Sequence, residues 1–177
     1  MMKASKVADE EALKLGKEQG ESIQRAIDYM IHTCTRGDQT ISGDYQIVYT
    51  IDPAEGMYHL IGERLLWHNP DFGNVHIGIV ICDAEDGRFI PGLTVFVTLI
   101  DPEGHILGDH MHSFMWHPWL YHYGLNWKVP QEGDYTMRVR ILPPDFMRHD
   151  RVNGQRYGEP VEAEFAGVHI IPGKQNE

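Results

Sequence analysis

The sequence predicts an all-β fold, an antiparallel immunoglobulin-like (cupredoxin-like) β-sandwich preceded by one helix. Two observations carry this reading. The hydrophobic period changes from three-to-four residues to two after Gly43, and seven short alternating segments then follow with turn residues, not helical crossovers, between them. At 177 residues and 42% hydrophobic content the chain can bury one substantial core. The expected organisation is a helix and linker over residues 1–43 and one sandwich domain over residues 44–177.

The helix is expected from about Glu10 to Ile31, because Ile23, Ala26, Ile27, Met30 and Ile31 recur at helical spacing with charges between them. Gly16 and Gly20 weaken its first half. Residues 33–43, rich in Thr, Gly, Asp and Ser, read as a linker. Strands are expected at 44–51, 57–67, 74–83, 93–100, 105–115, 134–142 and 161–170. The segment from Tyr135 is representative: Tyr135, Met137, Val139 and Ile141 alternate with Thr136, Arg138 and Arg140, as in a strand with one wet face. Asp52-Pro53, Asn69-Pro70, Asp86-Gly87, Pro102-Glu103-Gly104 and Glu132-Gly133-Asp134 supply the turns.

A formal charge of -11 argues against nucleic acid and anionic membrane as partners and suits cations. No apolar stretch is long enough to span a bilayer. The N-terminus lacks the basic, apolar and small-residue order of a secretory leader, so with Met1 as the native start the expectation is a cytoplasmic protein. Cys34 and Cys82 have no paired spacing, and one potential disulfide does not fix the redox compartment. Neither a G-x-S-x-G elbow nor an H-E-x-x-H pair is present, and no enzyme is expected.

The most informative run is Met115-Trp-His-Pro-Trp-Leu-Tyr-His-Tyr-Gly124. With His76 and His149 it offers a candidate soft metal site of His76, Met115, His122 and His149. His76 shares a strand face with Gly78, Val80 and Cys82, while Ile77, Ile79 and Ile81 form the core face. Cys82, about 20 Å along the strand, cannot share a metal with His76, and no later cysteine exists, which excludes a blue-copper site. Pro118 breaks the strand between Met115 and His122, so the chain turns back and both side chains can face one point. His149 follows Pro143-Pro144 in a connection between strands. Taken singly, His76 reads as a core or edge histidine and Met115 as a core residue. Trp116, Trp119, Tyr121 and Tyr123 read as the hydrophobic shell and dimer contact of the loop, with a carbohydrate- or protein-binding face as the alternative. His105, His110, His112 and His117 read as solvated histidines, with a second metal site as the alternative.

His76-Ile-Gly, Ile90-Pro-Gly-Leu-Thr-Val, Met115 seven residues before His122-Tyr-Gly, Gly133-Asp-Tyr-Thr, Ile141-Leu-Pro-Pro and Arg148-His149-Asp follow one another from about His76 to Ile170. In order and spacing they together resemble the periplasmic iron-transport accessory proteins, which work beside a ferrous-iron permease. The resemblance implies a copper-binding set of His76, Met115, His122 and His149, a copper ion with iron as second candidate, a homodimer, a membrane iron permease as partner, and the periplasm. Gly78 stands where that family carries a metal-binding glutamate. Loss of a hard oxygen beside three imidazoles and a thioether shifts the expected preference towards copper.

Overall fold

The structure is a computed structural model and describes residues 2–70 and 73–173. Its helix α1 (Glu10–Thr33) starts where expected: Asp9 accepts from the Ala12 amide at 2.9 Å, capping a first turn that carries Glu10 and Glu11. The two helical glycines have a packing reason. A Cβ on Gly20 would lie 1.6 Å from the carbonyl oxygen of Asp86, and one on Gly16 would touch Arg88, so their absence lets α1 lie directly on the 85–88 turn.

Eight strands follow in one antiparallel sheet, together with a separate hairpin. They are β1 (Arg36–Ser42), β2 (Tyr45–Pro53), β5 (Val75–Asp83), β6 (Thr94–Ile100), β7 (Ile106–Trp116), β8 (Tyr121–Trp127), β9 (Gly133–Leu142) and β10 (Val161–Ile170), in the order β1-β2-β5-β8-β7-β6-β9-β10. The hairpin is β3 (Met57–Ile61) and β4 (Arg64–His68). The sheet folds over at β7, whose residues 106–112 pair with β6 while residues 113–116 pair with β8. β1 then comes alongside β10, where the Ser42 hydroxyl reaches the Glu162 carbonyl. The all-β class with an N-terminal helix therefore holds, but the two separate sheets of a sandwich are here one folded, nearly closed sheet.

Three segments differ from expectation. Residues 36–42, expected within a linker, form β1 in full register with β2; this edge strand pairs with one neighbour only, so its polar sequence carries no core signature. Residues 57–67, expected as one strand, turn at Gly62, whose φ of +61° suits a two-residue hairpin turn. Strand β8 has no counterpart among the expected strands.

The sheet buries both faces of β5. Ile77, Ile79 and Ile81 enter the main core with Tyr49, Val97, Tyr123, Met137 and Val139. Val80 and Cys82, on the opposite face, pack with Val48 and Leu120 beneath Ile27 of the helix. This second face, half covered by α1, also carries His76 and Gly78.

Candidate metal centre

Side-chain alternation and register decide what meets on this face. On β5 it carries His76 and Gly78; β8 contributes His122 and Gly124, β2 contributes Thr50 and Asp52, and Met115 comes from β7. Met115 lies directly opposite His122, so the turn-back inferred from Pro118 is an antiparallel pair closed by the 117–120 loop, where the His117 amide donates to Leu120 at 2.9 Å. Gly78 lies opposite Gly124. Two glycines side by side in the register leave a gap in an otherwise covered sheet.

The gap is where the donor atoms point. His76 Nε2 lies 3.3 Å from His122 Nε2. A Cβ on Gly124 would sit 2.7 Å from His76 Nε2 and 2.9 Å from the Met115 sulfur, and a Cβ on Gly78 would sit 3.5 Å from His122 Cδ2. Two nitrogens held about 2.0–2.1 Å from one ion at a tetrahedral angle stand roughly 3.3–3.4 Å apart. The observed imidazole pair already has that spacing.

A hydrogen-bond chain fixes the tautomer of His76. Asn126 Nδ2 donates to the Glu55 carbonyl at 2.7 Å, and Asn126 Oδ1 accepts from the Glu55 amide at 3.2 Å, so the amide orientation is set by backbone. The same Oδ1 lies 2.9 Å from His76 Nδ1, which must then carry the proton. Nε2 is left as a lone pair aimed into the gap. Both rings are buried, His76 at 3% and His122 at 7% exposure. Burial, with His76 and His117 as neighbours, pushes the His122 pKa down to about 3, so this ring stays neutral, the form that ligates.

Around the gap lies a cavity of about 170 Å³ lined by His76, His122, His117, Asp52 and Glu55, with Cys34 and Met30 from the end of α1. Asp52 is the register partner of His76, and burial, followed by the charge of Glu55, raises its pKa. His117 Nε2 is 3.8 Å from Glu55, and its ring centroid is 5.3 Å from that of His122. Burial also raises the Cys34 thiol, helped by Asp52, and both cysteines are free. Among the described residues no three His, Cys, Asp or Glu side chains already stand together as a metal cluster. The convergent set is two imidazoles and a thioether, with carboxylates close by.

Of the four site residues drawn from the sequence, the fold brings together His76, Met115 and His122. It does not bring His149, which is exposed and does not line the cavity. The segment that follows it is fastened by Arg156 and Tyr157 to Asp83, seven residues from His76 at the opposite end of β5, or about 23 Å. Asp52, Glu55 and Asn126 were not singled out as site residues, and Asp52 comes to the face of His76 only through the register of β2 with β5.

Two other readings change. His112, read as solvated, is 2% exposed: its Nε2 accepts from Trp127 Nε1 at 3.1 Å, its Nδ1 has no partner, and burial pushes its pKa down to about 3. Of the loop aromatics, Tyr123 lies in the core with its hydroxyl donating to the Ile90 carbonyl, and Trp119 packs edge-on against Tyr29 of the helix. Trp116 and the stacked Phe114 and Tyr121 form an outward aromatic face, and Trp119 is also exposed.

Fold and pocket together define a β-protein with a buried imidazole–thioether centre. Residues 82–169 match the sequence model of the family described as Fe2+ transport protein, and over that stretch the chain belongs to that family. No curated protein sequence matches the chain. Among solved structures it is similar to FetP of uropathogenic E. coli, recombinantly expressed in the periplasm, at 20% identity and a TM-score of 0.63, over 78% of this chain and 95% of that one. It is also similar to the copper-reconstituted P19 protein of Campylobacter jejuni, at 18% identity and a TM-score of 0.63, over 78% of this chain and 96% of that one. A copper-bound variant of FetP aligns at 19% identity and a TM-score of 0.62, over 80% of this chain and 94% of that one.

Proposed function

We propose that this protein carries copper, with Fe(II) as second cargo, in metal uptake or trafficking, and that it is not an enzyme. The observation that carries the reading is the paired gap at Gly78 and Gly124, into which His76 Nε2, His122 Nε2 and the Met115 sulfur converge. Two borderline nitrogens and one soft sulfur favour copper. The copper-bound relatives and the iron-transport family both support this reading.

Iron is better served here than Gly78 alone suggests. Asp52 and Glu55 line the same cavity and supply the hard oxygens that a glutamate at position 78 would have given. His149 is the fourth ligand implied by the resemblance. Its own chain holds it away from the gap, and the resemblance implies a homodimer. The resemblance also implies the periplasm as compartment and a membrane iron permease as recipient.

Titration of untagged protein with Cu(II) and with Cu(I) against a chromophoric chelator tests the reading. The tight equivalent is expected to disappear in His76→Ala and in His122→Ala. Unchanged affinity in both variants overturns it.

A further inference from the structure

The β3–β4 hairpin stands outside the main sheet, and its ladder puts three metal-ligating side chains on one face. Met57 pairs with His68 and His59 with Leu66, so Met57 and His59, two residues apart on β3, share a face with His68 of β4. The rings of His59 and His68 lie diagonally across the ladder with centroids 4.8 Å apart. Both are solvent-exposed, and Met57 is half-buried at the base. The opposite face is occupied differently: Tyr58 and Trp67 meet edge-to-face at 5.0 Å, and Trp67 Nε1 donates to Asn69 Oδ1 at 2.9 Å. These contacts hold the two strands in the register that sets the histidines together.

We propose that this hairpin is a second, solvent-facing copper site built from His59, His68 and Met57. Two imidazoles on adjacent strands bind a borderline metal in a bidentate manner, and a thioether on the same face adds the soft donor that Cu(I) prefers. That face bears no carboxylate: its remaining positions are Ile61, Arg64 and Leu66. Hard cations therefore gain nothing there. The site also stands beside the buried centre. Glu55, which lines the cavity and is tied through Asn126 to His76, precedes Met57 by two residues, about 7 Å of extended chain.

The site does not depend on the buried centre, and the test separates them. Full-length protein is titrated with Cu(I) and Cu(II) against a chromophoric chelator as wild type, as the His59→Ala/His68→Ala double variant, and as His122→Ala. Wild type is expected to take up two equivalents, one tight and one weaker. The hairpin variant is expected to lose the weaker equivalent alone, and His122→Ala the tight one alone. Met57→Leu is expected to weaken the hairpin equivalent for Cu(I) more than for Cu(II). Because the hairpin lies outside the core, the variants at positions 57, 59 and 68 should unfold at the wild-type temperature. The proposal is overturned if the folded double variant takes up as many equivalents as wild type, or if wild type takes up only the equivalent that His122→Ala removes.

Discussion

Gly124 shows how one missing side chain makes a site. Its backbone is ordinary strand, so alanine there is conformationally acceptable. The new methyl, however, would sit 2.7 Å from His76 Nε2 and 2.9 Å from the Met115 sulfur, in the space a metal must occupy. Gly124→Ala is therefore expected to remove tight copper binding while the protein still folds, with stability read by urea unfolding and copper by titration. Gly78→Glu works in the opposite direction. Its carboxylate would enter the same gap, but its Cβ meets Thr50 Oγ1 at 2.8 Å, so Thr50→Ala must accompany it. The double variant should strengthen Fe(II) and Mn(II) binding relative to copper; an unchanged metal preference in competition titrations would show that position 78 does not face the ion. His112 gives a pH signature. Held neutral when folded, with a pKa of about 3 against 6.5 as its ordinary value, it takes up a proton on unfolding at any pH between those values. Stability is complete above about pH 6.5 and falls as pH drops towards 3. His112→Gln, which keeps an acceptor for Trp127, should flatten this slope by about 1.4 kcal/mol per pH unit in urea titrations between about pH 6 and pH 4.

At the scale of elements, legibility followed burial pattern. Strands such as β9, with one apolar and one polar face, and β5, an unbroken buried run, declared themselves. β8 did not, since Tyr-His-Tyr-Gly-Leu-Asn-Trp buries a histidine and a glycine on the face turned towards α1. The centre itself displaces the apolar residues that would have marked the strand. Asp52 was legible only as part of an Asp-Pro turn signal, because its role depends on which strand lies beside β2. His149 matched a motif in sequence, but its position was set by the anchoring of the segment that follows. There the Arg156 guanidinium holds Asp83, 1% exposed, at 3.0 Å through Nε and 2.8 Å through Nη2, with Tyr157 donating to the same carboxylate. Arg156→Ala strands a buried carboxylate and should cost about 3 kcal/mol in urea unfolding. Copper affinity should not change, because this anchor lies at the other end of β5 from His76.

On the scale of the whole molecule, the folded sheet works as a rigid frame. Its inner face holds an apolar core. The outer face of β2, β5, β8 and β7 is divided between the helix, which seals one half over Val80 and Cys82, and the cavity, which opens the other half at His76 and His122. A net charge of -11 draws cations to the molecule, and Asp52 and Glu55 line the cavity. The central claim is that one ion is held between β5, β7 and β8, and the most direct measurement is copper-edge anomalous diffraction from copper-loaded crystals. The account predicts a peak in the gap between Gly78 and Gly124, within bonding distance of His76 Nε2, His122 Nε2 and the Met115 sulfur. Density at other sites with none in this gap would contradict it.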